Sequence, residues 1–238
     1  MAASGFVAEA SAQTFEVKNL DITQGSLEIG FDNSAMSRPS PSQNRSAHDQ
    51  GIHYGMREWW RLSAVMKLED PARHDVQASR VALESIFVLR PMKPERVRDV
   101  EIGLFAALEV SIHEDTTNAL VVGPIVTAKW DALTLAFNPF LEQTFGRNRA
   151  EGIALSYGWQ AKYDVRQGLA VGIEGFGLID NLADAAGFAD QEHRIGPVVY
   201  AEISLWGLKL TPDIGVLFGL TPATPDLTFK INVGVPLQ

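Results

Sequence analysis

Cysteine is missing from all 238 residues, which removes disulfides, thiolate metal sites and cysteine nucleophiles from consideration. No run of about 18 apolar residues occurs, so no membrane-crossing helix is encoded. Basic residues are few: 20 lysines and arginines face 29 aspartates and glutamates, for a net charge of −9. They form no cluster of the kind that neutralises phosphates, so nucleic acid is not an expected partner. The histidines, His48, His53, His74, His113 and His193, are scattered without a His-x-x-x-His spacing, and neither a metal nor another cofactor is expected. A hydrolase needs a nucleophile with a base in reach. No histidine is expected beside Ser85, and the chain does not read as an enzyme. Gly175-Phe176-Gly177 reads as strand glycines, because no helix follows to make a phosphate loop.

What is present is period-two patterning. Hydrophobic residues make up 46% of the chain, with 20 glycines and 12 prolines, which suits many strands and turns. From Glu101 to His113 every second residue is apolar, beginning with Ile102, Leu104 and Ala106. The segments after Gly152 and after Asp226 repeat the pattern. Successive strand side chains point to opposite faces, so each segment carries one apolar face. Strands are expected at roughly 24–33, 46–55, 59–69, 77–90, 98–113, 119–131, 133–146, 151–165, 168–180, 193–205, 207–220 and 226–237. Connections alternate between tight turns and longer polar loops. About twelve strands, with short turns at one rim and long loops at the other, predict an all-β fold. Its form is a single closed antiparallel up-and-down transmembrane β-barrel over 23–238, as in the bacterial outer membrane.

Alternation alone does not separate this from a soluble barrel with its apolar face inward. Three features favour lipid outside. Tyr54, Trp60, Trp130, Tyr163 and Trp206 fall on the apolar face at the short-turn end, as membrane-interface aromatics do, with Phe31, Phe145, Phe218 and Phe229 toward the other rim. Trp159 and Tyr157 sit nearer mid-strand and fit less well. The polar face mixes charges with Gly103, Ala107, Gly158 and Gly172, as a confined lumen needs. The spans exceed the usual soluble strand and match a tilted membrane crossing.

With the strands placed, the chain resembles a family of small proteobacterial outer-membrane β-barrel proteins without an assigned function. The resemblance runs from about Gly25 to the end. It rests on Tyr54-Gly55 with Trp59-Trp60, Leu83-Glu84 with Ile86-Phe87, and Gly103-Leu104 with Glu109. Further along it rests on Gly123-Pro124, Trp159-Gln160, His193-Arg194 with Gly196-Pro197, and Leu217-Phe218-Gly219-Leu220-Thr221. It implies a transmembrane barrel in contact with lipid and lipopolysaccharide and handled by the outer-membrane assembly machinery; it supplies no substrate. The ending Val235-Pro236-Leu237-Gln238 departs from the terminal aromatic common among such barrels.

Residues 1–22 are expected to be a signal remnant, around Ala10-Ser11-Ala12, continuing into a periplasmic tail or a plug. Inside the lumen, Glu84, Glu109, Glu174 and Glu202 recur near mid-strand, with Arg80 and Lys209 as candidate counter-charges. A narrow channel for small polar solutes follows from such a lining. The alternatives are a non-conducting structural or partner-binding barrel, whose ion pairs fill the lumen, and a soluble ligand-binding barrel.

Overall fold

The computed structural model describes residues 14–38, 43–71, 75–93, 97–113 and 117–237. The proposed signal site at Ala10-Ser11-Ala12 and His74 lie outside the described residues. Among the described residues thirteen strands form: β1 Leu27–Ser37, β2 Asn44–Arg57, β3 Trp60–Pro71, β4 Gln77–Arg90, β5 Arg98–Ser111, β6 Asn118–Trp130 and β7 Leu133–Phe145; then β8 Ala154–Arg166, β9 Leu169–Ile179, β10 Glu192–Ala201, β11 Ile203–Leu205, β12 Leu208–Gly219 and β13 Leu227–Leu237. From β1 to β10 each pairs antiparallel with its sequence neighbour, as do β11 with β12 and β12 with β13; β1 pairs with β13, and β10 pairs with β12 to close the ring. The short β11 continues β10: both meet β12 in one unbroken register, from Ile195↔Phe218 to Leu205↔Leu208. The barrel therefore has twelve walls, as the alternation predicts.

Loop chemistry sets the two rims. Trp206 and Gly207, both with positive φ (51° and 83°), close the β11–β12 hairpin in two residues, the geometry that matches strand twist. At the other rim the chain takes 146–153, 180–191 and 220–226 to return. The first strand starts at Leu27 rather than near 24 because Thr23–Ser26 form a turn. Ser26 N–H donates to the Thr23 carbonyl (3.1 Å), and Gly25, at φ 79°, donates to the Gly55 carbonyl (2.7 Å). A side chain on Gly55 would stand 2.0 Å from the Thr23 oxygen, so only glycine lets the two backbones meet there.

The apolar faces point outward. Ile231 is 48% exposed, and Ile102, Leu108, Leu135, Ile173 and Ile214 are also exposed. Glu109, next to Leu108, is only 4% exposed. The two Gly-Pro pairs behave alike. A side chain on Gly123 would meet the Pro139 carbonyl, and one on Gly196 the Val216 carbonyl, at about 2 Å. The ladder skips three residues beside Gly123-Pro124 and two beside Gly196-Pro197, since proline brings no donor.

Candidate functional site: the lumen and the segment inside it

From the Thr23–Ser26 turn the chain runs back into the ring of strands. Leu20 joins Ile86, Phe105, Val121 and Ile125 in one buried apolar cluster; Phe15 and Val17 join Ala136, Phe176 and Leu217 in a second. Phe15 meets Phe176 edge-on at 5.4 Å between centroids, and the Arg194 guanidinium lies 4.2 Å from its ring. Contacts on opposite sides of the ring place residues 14–22 within the lumen. The small lumen residues gain a reason here: Gly103 leaves room for Leu20, and Gly158 for Phe176 and Val17. The lumen is thus not polar throughout, as the sequence suggested. Two apolar patches interrupt it because the inserted segment brings apolar side chains that need partners out of water.

Charge is arranged in shared triads. Glu109 takes Lys67 (2.6 Å) and Arg80 (3.2 Å). Lys230 takes Glu174 (2.6 Å) and Asp213 (2.9 Å), and the Tyr200 hydroxyl also donates to Glu174 at 2.7 Å. Lys230 and Glu174 are each 1% exposed. Lys18 of the inserted segment takes Glu16 (2.5 Å) and Glu84 (3.2 Å). Burial on its own would raise the Glu16 carboxyl, but Lys18 beside it outweighs that and lowers it to about 2. The same two carboxylates hold the Lys18 ammonium above its ordinary range against the opposite pull of burial.

The structure brings Glu84, Glu109, Glu174 and Arg80 into the enclosed lumen, each ion-paired. Glu202 and Lys209 are elsewhere. They pair with each other at 2.9 Å beside the Trp206 turn, and each side chain is 54% exposed. The strand ends three residues beyond Glu202, so mid-strand was the wrong height for it. Tyr54, Trp130, Tyr163 and Trp206 stand exposed on the outer face at the short-turn end. Trp60, half-buried there, stacks between Trp59 and Phe87, and its indole N–H lies 3.4 Å from the Ser85 hydroxyl. Trp159 and Tyr157 sit at their odd height because they lean sideways over Gly175 and Gly177, where any Cβ would strike their rings at about 2.5 Å. His193 is buried at the long-loop end of β10. It accepts or donates at the Tyr157 hydroxyl (2.7 Å) and is covered by Phe188 at 4.6 Å.

Sequence reasoning missed Glu16, Lys18, Asp49 and Asn138 as lumen residues. Asp49 and Asn138 were legible by parity, since each alternates with the outward-facing residues of its own strand. Glu16 and Lys18 carry no strand signal at all. These four and Glu142 border a lumen cavity of about 130 Å³. A second, of about 330 Å³, lies at the short-turn mouth between Leu20–Thr23 and Glu58, Val88, Pro91 and Glu101. Among the described residues no group of three or more metal-ligating side chains converges.

No protein-family model and no curated protein matches the chain. Among solved structures it is similar to OccAB2 of Acinetobacter baumannii, with 10% identity and a TM-score of 0.44 over 88% of this chain and 59% of that one. It is also similar to a variant of OccD1 (OprD), with 8% identity and a TM-score of 0.43 over 89% and 65%. The chain thus spans less than two thirds of those two barrels. Its similarity to the porin NanC is of another kind: 12% identity, with a TM-score of 0.52 over 89% of this chain and 99% of that one. The NanC match, taken with the ring of pairings, gives the fold: a closed twelve-stranded antiparallel β-barrel with charged groups inside and an apolar belt outside.

Proposed function

We infer that the chain is an outer-membrane β-barrel that admits small polar solutes by a narrow route, with residues 14–22 acting as an internal plug. One observation carries the reading: the outward face of the spans is apolar and exposed, while charges of the same strands, Arg80, Glu109, Glu174 and Lys230 among them, are enclosed and paired. A soluble protein rarely leaves so much apolar surface in water, whereas acyl chains require it. In this reading Tyr54, Trp60, Trp130, Tyr163 and Trp206 lie at the periplasmic headgroups. The barrel meets lipid and lipopolysaccharide and depends on the outer-membrane assembly machinery. Glu84, Glu109, Glu174 and Arg80 then line the solute route, and the NanC similarity supports a porin-like role.

A second reading, a non-conducting structural barrel, is favoured by the depth at which Lys230 and Glu174 are buried and by the inserted segment. Single-channel recording in planar bilayers separates the two. Discrete steps support passage; a silent, correctly folded barrel overturns it. Recovery of the protein in buffer without detergent would overturn the membrane reading itself.

A further inference from the structure

Three successive lumen-facing residues of β7 build a site no ion pair explains. Asn138 is 1% exposed, lines the 130 Å³ cavity, and has neither its amide nitrogen nor its amide oxygen hydrogen-bonded among the described residues. Buried amides are almost always satisfied, so both a donor and an acceptor are missing at this point. Four residues on, Glu142 faces the same cavity without an ion pair or hydrogen bond among the described residues. At about 3.4 Å per residue their α-carbons stand about 14 Å apart. Phe140 lies between them, its ring 4.7 Å from that of Phe105.

The charge around the cavity is one-sided. Five carboxylates border it against two ammonium groups, Lys18 and Lys67. Both ammoniums are committed, to Glu16 with Glu84 and to Glu109. Among the described residues Glu142 and Asp49 form no ion pair; Asp49 accepts from the Thr14 hydroxyl at 3.1 Å. The volume is close to the ~150 Å³ that holds one benzene-sized molecule.

We propose that this cavity binds a short aliphatic amine with an amide at its far end. The amide meets both orphan atoms of Asn138, the methylenes lie along Phe140, and the ammonium reaches Glu142. The inference names a solute class for the lumen and rests on the solute-passage reading for its role in transport, though not for binding. A neutral amide leaves the carboxylate unmet, an alkylammonium leaves Asn138 unmet, and an anion meets five carboxylates against two ammoniums already committed to ion pairs.

The test is calorimetric titration of the full chain, folded in detergent micelles, with 4-aminobutanamide, butylammonium and butanamide. Saturable one-to-one binding of 4-aminobutanamide is expected, with each of the others about tenfold weaker or more, the value of one charged hydrogen bond. Glu142→Gln erases the preference over butanamide. Asn138→Leu, which removes an unsatisfied group and keeps the volume, erases the preference over butylammonium. Absence of saturable binding, equal binding of all three, or variants that keep both preferences overturns the site. If a variant does not fold, the ranking on the unaltered chain decides alone. Binding without channel steps would sink passage and leave the site; channel steps without binding would do the reverse.

Discussion

Replacing Leu83 with arginine tests which side of the wall meets lipid. Leu83 lies at the middle of β4, 55% exposed on the outer face, between Ala64 and Leu108 of the adjacent strands. Nothing inside the barrel touches that face, so the change adds no clash and removes no ion pair. In a bilayer an arginine at mid-depth on a barrel wall costs about 2–4 kcal/mol, falling to about 0–1 kcal/mol near the interface. Leu205→Arg supplies the matched control: Leu205 is 41% exposed and lies one residue from the Trp206 turn. The assay is equilibrium urea unfolding from lipid vesicles, followed by tryptophan emission and by heat-shifted gel migration. Leu83→Arg is expected to lose about 2–4 kcal/mol, a shift of thirtyfold or more in the folding constant, and Leu205→Arg about 1 kcal/mol at most. Equal losses at the two positions, or a Leu83→Arg chain that folds better and in plain buffer, would refute the argument, because a water-facing arginine costs nothing.

Three further outcomes follow from the lumen and the wall. Lys230→Met leaves Glu174 and Asp213 buried without their shared cation and is expected to cost about 3–5 kcal/mol in the same unfolding assay. Gly175→Val drives a side chain into the Trp159 ring, 2.4 Å from where its Cβ must stand; a loss of about 1–3 kcal/mol and a red-shifted emission are expected. With no native cysteine, Val17→Cys reports whether the plug is seated. Labelling by a charged thiol reagent should be slow, and Lys18→Glu, which sets three carboxylates together, should speed it at least tenfold. Acid should do the same. The Glu16 carboxyl sits lower when seated, near 2, than its ordinary 4.5. Its contribution is therefore intact above about 4.5 and lost as pH falls from there toward 2. Labelling that is flat across that window would count against the Lys18–Glu16 contact.

The barrel was legible because a wall with two solvents writes itself in period two. β4 is Gln77–Arg90 as expected, and β5 differs only by ending at Ser111. Strand count, closure and the inward and outward faces all follow from that one signal. The segment 14–22 was not legible in the same way. It lies in the lumen without strand pairing, so Phe15, Val17 and Leu20 follow no period, and nothing in the sequence joins them to their partners Phe105, Phe176 and Leu217. Glu202 shows the other limit. Parity gives the side a residue faces, but its height must be counted from the turn: Glu202 lies four residues from Trp206, where the turn was expected and is found. Asn138 was visible as an inward residue, yet only the packing around it reveals that nothing satisfies it.

The most direct test of the outer belt uses single cysteines at the outward positions of β5, Val100, Ile102, Leu104, Ala106, Leu108 and Val110, each spin-labelled in lipid vesicles. The ratio of collision with oxygen to collision with a water-soluble nickel chelate should rise from Val100 to a maximum near Leu104 and Ala106 and fall again toward Val110. A ratio that is low and level at all six positions would mean that this face meets water, and the membrane account would be contradicted.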